Sequence, residues 1–171
     1  MNKVTLADGK VFKRMDKVIS FTPVAEAERL SSLSTTPVKH GGTQAYFAPS
    51  EHRIQMPQKD SFKSVAHYYA TLFHEIGHSL KEKGTHSKGF GSEPYAKEEL
   101  VAELFSSLCL AECGLEAPEV TTNTTAYLQN WLTALKGDKT LILSASAEAF
   151  KRFTALTKVA EVAEVAEEVE A

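Results

Sequence analysis

Within residues 74–78, His74-Glu75-Ile76-Gly77-His78 is the stretch whose residue types and spacing are best suited to chemistry. On a helix, positions four apart lie one turn above each other on one face, with Cβ atoms about 5–6 Å apart. Two neutral imidazoles so placed can ligate one small cation, and Glu75 can reach a water on that cation without being a ligand itself. The spacing therefore specifies a hydrolytic arrangement: two imidazole ligands, a carboxylate general base and a water nucleophile. HExxH fixes only three residues, and the alternative is a polar helix surface that happens to carry two histidines. The flank argues against it, because Tyr68-Tyr69-Ala70-Thr71-Leu72-Phe73 is largely apolar and Ile76 and Leu80 continue that character. Gly77 costs about 1 kcal/mol of helix propensity against Ala. A small residue there either lets another segment approach the site or serves packing alone.

A hydrolytic metal site needs a third protein ligand and a position left for water. Glu98-Glu99-Leu100-Val101-Ala102-Glu103-Leu104-Phe105 supplies candidates on a strong helix former, with Glu99 and Glu103 at i and i+4 beside a broad apolar side. Carboxylates bordering a buried side need partners, and a metal with its histidines would satisfy them. Glu99 is assigned as third ligand, and Glu103 as acceptor for the non-ligating N–H of a metal histidine, which fixes its tautomer. Glu98 is expected to face solvent. The alternative is that all three acids are solvated and pair with Lys97 or other charges. His86 competes as third ligand, but HExxHxxGxxH requires glycine and histidine where Lys81 and Gly84 stand. His86 is therefore read as a loop residue near the cleft, either a transition-state hydrogen-bond donor or simply exposed. Imidazoles and one carboxylate suit a single Zn²⁺. Glu75 would take a proton from water and pass it to the leaving amine. Tyr95 or His86 would steady the developing oxyanion, with packing as the other reading of Tyr95.

The elements that must position these groups are legible in part. Val4-Thr5-Leu6 and Lys10-Val11-Phe12 flank Asp8-Gly9, a hairpin signal. Lys17 to Phe21 reads as a further strand, and Ala25 to Leu33 as a short helix. Thr35-Thr36-Pro37 and Gly41-Gly42 punctuate a loop. Gln44 to Ala48 and His52 to Met56 form a strand pair, either of which could pair with an extended peptide. Asp60 or Ser61 should cap the helix that carries the pentad to about Leu80. After a loop at 84–91, a second long helix runs from about Tyr95 to Cys113 and ends near Gly114. Thr124 to Leu135 is a third helix with Trp131 in the core. Lys139 to Thr157 is largely helical with a break near Ser144. The tail from Val159 to Glu167 repeats Val-Ala-Glu, and is either an amphipathic helix or a frayed acidic segment. The fold class is α+β: a small mixed or antiparallel N-terminal sheet packed on the HExxH helix and the following Glu-bearing helix, with a helical C-terminal part.

The stretch His40-Gly41-Gly42, then Ala45-Tyr46-Phe47, Ile54-Gln55-Met56-Pro57, Tyr68 to Leu72, the HEIGH pentad, Phe90-Gly91-Ser92-Glu93, Tyr95-Ala96 and Glu98 to Glu103 resembles the zincin-like metallopeptidase domain of ArdC-type antirestriction proteins. The same domain occurs in polyvalent proteins of phages and conjugative plasmids. Tyr127-Leu128, Trp131-Leu132, Leu135-Lys136 and Asp138-Lys139 continue the match, which covers roughly residues 18 to 157. The resemblance implies a gluzincin-like site with both pentad histidines and the downstream glutamate as ligands. It also implies a mobile-element origin and a role in blunting host defences. Two features depart from the family. Its members usually carry an N-terminal domain that binds single-stranded DNA, and only about 40 residues precede the peptidase-like part here, so DNA binding is not carried over. The aromatic-rich segment that commonly follows the pentad is here Ser79-Leu80-Lys81-Glu82-Lys83-Gly84, so the substrate-facing wall is expected to differ.

Composition sets outer bounds. The chain has 171 residues, 43% apolar and 24% charged, as expected of one globular domain with a real core. Residues 1–157 are assigned to that domain, with 1–17 as an N-terminal extension or hairpin, and 158–171 to an acidic tail. No apolar leader opens the sequence and no run reaches membrane-spanning length, so a cytoplasmic protein of the host cell is expected. Cys109 and Cys113 lie four apart on one helix, where disulfide geometry is rarely met, and are read as free thiols. The net charge of −3 hides an uneven distribution: residues 161–171 hold five acids and no base, leaving +2 elsewhere. That is too little to argue for nucleic acid, and Lys10, Lys13, Arg14 and Lys17 are read as a solvated edge. Three functions compete: a zinc peptidase acting on a protein or peptide, with a host defence protein as one candidate partner; a non-catalytic antirestriction module that binds a restriction enzyme or DNA around a structural metal; and a regulatory peptidase of the repressor-cleaving kind.

Overall fold

The computed structural model describes residues 3–5, 11–13, 21–81, 93–116 and 140–170, with backbone only at 3–5, 11–13, 93 and 159–170. Of the strand expected at Lys17 to Phe21, residues 17–20 lie outside the described residues and Phe21 is not in a strand; the loop carrying His86, the helix expected at 124–135 with Trp131, and Lys10, Arg14 and Lys17 also lie outside them. The hairpin read around Asp8-Gly9 is present as strands β1 (Lys3–Thr5) and β2 (Val11–Lys13), paired antiparallel with Val4 opposite Phe12. Helix α1 spans Ala25–Ser32 and buries Ala27 and Leu30.

Three short strands follow: β3 (Val38–His40), β4 (Tyr46–Ala48) and β5 (Arg53–Met56), in the order β3-β5-β4. β5 runs parallel to β3 and antiparallel to β4. The sheet is therefore mixed, and β3 occupies part of what reads in sequence as a punctuated loop. Along β5 the alternation is that of a one-sided sheet, with Ile54 and Met56 fully buried and Arg53 and Gln55 partly exposed. The β4–β5 turn places His52 at φ 45°, a left-handed conformation uncommon outside glycine. Gly41 and Gly42, at φ 142° and 70°, turn the chain out of β3, and the Gly41 N–H returns to the Met56 carbonyl at 2.8 Å.

Helix α2 (Val65–Ser79) lies beneath this sheet and is capped by Ser64, whose Oγ accepts the His67 N–H at 3.2 Å. The cap expected at Asp60 or Ser61 is displaced because Lys59–Ser61 forms a separate 3₁₀ turn. Phe62 is then extended, and its ring meets Tyr68 edge-on at 5.3 Å. Helix α3 (Glu93–Glu112) packs on α2, and helix α4 (Leu141–Glu170) packs on α3. α3 stops at Gly114, which takes φ 63° while the Gly114 and Leu115 N–H groups bond the Ala111 and Leu110 carbonyls at 3.1 and 2.9 Å. α4 has no break at Ser144; that hydroxyl donates to the Leu141 carbonyl at 3.0 Å, so the helix itself satisfies it. Of the two readings of the tail, the backbone is helical through Glu170, as the Ala and Glu content favours.

The core joins the inner sheet face to the three long helices through Ile54, Met56, Tyr68, Tyr69, Phe73, Ile76, Val101, Phe105 and Ala149. Tyr69 anchors α1 to α2, donating its hydroxyl to Glu28 at 2.8 Å and accepting the Val24 N–H at 3.2 Å. No helix among the described residues is long and apolar enough to cross a membrane.

Candidate metal centre

The last turns of α2 carry His74, Glu75 and His78, and the first turns of α3 carry Glu98, Glu99 and Glu103. Gly77 decides how near the two helices come. A Cβ at that position would sit 3.1 Å from the Phe105 ring and 3.2 Å from the Ala102 Cα. The glycine within the pentad thus admits the α3 backbone, and close approach is what brings Glu99 to the histidines.

The two imidazoles stand edge to face at 84°, with their Nε2 atoms 3.1 Å apart. Glu99 faces both nitrogens, Oε1 lying 3.5 Å from His78 Nε2 and Oε2 lying 3.7 Å from His74 Nε2. Each outer nitrogen has its own carboxylate: His74 Nδ1 is 3.5 Å from Glu103 and His78 Nδ1 is 3.2 Å from Glu98. A carboxylate beside Nδ1 favours the Nδ1–H tautomer, which leaves the Nε2 lone pair facing inward. Two imidazole lone pairs and a carboxylate then converge with no donor among them. Ligand atoms about 2.0–2.1 Å from one tetrahedral cation lie about 3.3 Å from each other, within the range of spacings seen here. By donor chemistry and by spacing, His74, His78 and Glu99 could hold a divalent metal ion.

Glu75 does not join that triangle. It is 8% exposed and its carboxyl interacts with the backbone N–H of Phe47 on β4. Burial pushes this carboxyl above the usual range, and the charges of His74 and His78 and the Phe47 N–H offset the shift only in part. Burial also disfavours the Glu99 carboxylate, but His74, His78 and a hydrogen bond from Tyr95 outweigh it and hold Glu99 below the ordinary value. For His74 burial acts downward, and Glu99, Glu103 and Glu75 together raise the imidazole above its ordinary value. Tyr95 therefore contacts the acid of the triangle. His86 lies outside the described residues.

Glu98 departs from expectation. It is buried, not solvent-facing, because α4 delivers a guanidinium to it. Arg152, 5% exposed, donates Nη1 to Glu98 Oε1 at 2.7 Å and Nη2 to Oε2 at 3.0 Å, a bidentate pair. The same Nη1 reaches the Gly77 carbonyl at 2.8 Å, and Nε reaches Glu148 at 3.1 Å. Burial alone would raise the Glu98 carboxyl; His78, Arg152 and Lys81 reverse this and hold it at about 2. Sequence reasoning passed over Arg152 altogether. Its local signal, an arginine four residues after Glu148, also describes an ordinary surface helix pair.

The two cysteines are free, as expected. Burial pushes both thiols up, Cys113 to about 11, so neither is a thiolate near neutrality.

Similarity to known proteins follows the same residues. The chain is 35% identical over 130 residues to the uncharacterized protein y4eC of Sinorhizobium fredii, and 35% identical over 137 residues to the DNA primase TraC of Escherichia coli. These alignments take in 74% and 77% of this chain but only 42% and 13% of the relatives. The crystal structure of the antirestriction protein ArdC from plasmid R388 in its Mn(II)-bound form superposes with a TM-score of 0.71 at 31% identity, covering 90% of this chain and 60% of ArdC. Its metal-free form gives 0.69 at 33% identity, covering 82% and 52%. The chain thus spans less than two thirds of each of these relatives. The zincin-like metallopeptidase family (MPTase-PolyVal) matches residues 25–148, from the start of α1 through the pentad and the Glu-bearing helix into α4. A fold built to bring an HExxH helix against a glutamate-bearing helix, together with that match, makes this chain a member of the zincin-like metallopeptidase family.

Proposed function

We propose that the chain is a zinc-dependent endopeptidase of a mobile genetic element that cuts a protein of the host cell cytoplasm and so counteracts host defence. The observation that carries this reading is Glu75: a buried carboxyl with a raised pKa, beside the His74–His78–Glu99 triangle yet outside it. A structural metal site has no use for such a group, and normally fills all four positions with protein ligands.

A divalent cation held by His74, His78 and Glu99 supplies Lewis acidity that acidifies water and polarises a carbonyl. Glu75 takes the proton from the attacking water and returns it to the leaving nitrogen. Tyr95 donates its hydroxyl to Glu99 and would steady an oxyanion only by giving up that bond; His86 is the other candidate.

The sheet indicates how substrate would lie. β5 is bonded on both sides, so the strand at 53–56 cannot accept a peptide; among the described residues β4 is a sheet edge. The Ile54 N–H points to β3, bonding the Pro37 carbonyl at 2.8 Å, so its cross-strand partner Phe47 directs its own N–H to the outer edge. That N–H is the one that meets Glu75. An extended chain pairing along β4 would run past the general base.

ArdC from plasmid R388 matches this chain in metal-bound and metal-free forms alike, which supports a metal that serves chemistry over one that holds the fold. The test is Glu75→Gln. Metal content is expected to stay at the wild-type level while cleavage falls by about 10²–10⁴-fold. Cleavage is read as new protein N-termini in cells expressing each form. A Glu75→Gln protein that keeps the full biological effect assigns the activity to binding of a restriction enzyme or DNA instead.

A further inference from the structure

We infer that Arg152 is a positioning residue for the metal centre: through Glu98 it fixes His78 in the orientation and tautomer that present Nε2 to the cation. The inference rests on His74, His78 and Glu99 being the metal ligands, and holds whether or not the site cleaves peptides. Arg152 lies beyond residues 25–148, the part of the chain that defines the family match, and on a helix that contributes no ligand.

Three contacts carry it. The guanidinium fills both oxygens of Glu98, at 2.7 and 3.0 Å, so the carboxylate has one rotamer available. Glu98 Oε1, locked in that rotamer, faces His78 Nδ1 at 3.2 Å and holds its proton there. Nη1 also takes the Gly77 carbonyl at 2.8 Å, one residue before His78. Since α2 ends at Ser79, the Gly77 carbonyl belongs to the last turn, whose carbonyls have no N–H from their own helix. Arg152 supplies that donor. One side chain therefore fixes both the backbone that carries His78 and the acid that orients its ring. Lys81, 3.6 Å from Glu98 Oε2, is the other cation in reach among the described residues, but a single ammonium cannot fill two oxygens in a plane as a guanidinium does.

The full chain is titrated with Mn(II) and, separately, Zn(II), by calorimetry against a competing chelator. Arg152→Met is expected to weaken binding of both ions by about 10–100-fold, the usual effect of losing an outer support of a ligand. Arg152→Lys should recover only part of the loss. Wild-type affinity in a folded Arg152→Met protein overturns the inference, as does a wild-type chain that binds neither ion. If Arg152→Met does not fold, the paired change Glu98→Leu with Arg152→Met removes the buried charges together and leaves neither unpaired. That double variant must also bind the ions 10–100-fold more weakly, and wild-type affinity in it overturns the inference. Loss of metal in these variants, alongside a wild type that binds metal and cuts nothing, sustains the role of Arg152 while removing the peptidase reading.

Discussion

The two histidines of the pentad are supported in different ways. His78 leans on Glu98, which is buried, doubly bonded to Arg152, and tied to three helices. His74 leans on Glu103, whose side chain is 44% exposed and 3.5 Å away. The first support is part of the core, and its strength depends on low local polarity and fixed geometry. The second is a surface contact that water and salt weaken. One side of the centre is thus built into the fold, while the other opens to solvent. A centre that binds a metal and admits solvent needs both, since the ligands must be held still and one side must stay open.

The largest effect that could overturn this comparison concerns which acid is the ligand. Glu99→Ala is expected to abolish stoichiometric metal uptake, measured by metal analysis of the purified protein, with Glu103→Ala retaining the ion. Should Glu103→Ala release the metal and Glu99→Ala keep it, Glu103 is no mere support and the contrast is void.

A smaller effect separates the two supports by stability. Glu98→Ala leaves the Arg152 guanidinium with Glu148 and the Gly77 carbonyl but without its bidentate partner, and should destabilise the metal-free protein by about 2–3 kcal/mol. Glu103→Ala, at a half-exposed position, should stay within about 0.5 kcal/mol. Urea denaturation measures both, and equal losses would erase the distinction between core and surface.

The finest comparison is in pH. The Glu98 carboxyl is held at about 2 in the fold against 4.5 when unperturbed. A depressed folded value contributes stability that is complete above the unfolded value and is lost as pH falls toward the folded one. The metal-free wild type should therefore lose stability between about pH 4.5 and 2, more steeply than the double variant that lacks Glu98 and Arg152. Parallel acid-unfolding curves for wild type and the double variant would remove Glu98 as the source.

The local half of this protein is legible in short stretches of its chain. The four-residue spacing of His74 and His78 and the apolar run before them specify a helix presenting two imidazoles. The i, i+4 pair Glu99 and Glu103 specifies a second helix presenting acids on one face. Gly114 marks where that helix stops. These are signals of period and conformation carried within a few residues. Tertiary structure alone decided the rest. β3, with only three residues, has no periodicity to read and exists because β5 offers it an edge. Ser64 takes the capping role from Asp60 and Ser61 because Phe62 has to fold back onto Tyr68. Whether Glu98 meets water or a guanidinium depends on a helix more than forty residues later in the chain, and no pattern near Glu98 or Arg152 records that meeting. Burial and charge pairing between distant elements follow from how helices pack, which is fixed by the whole core at once.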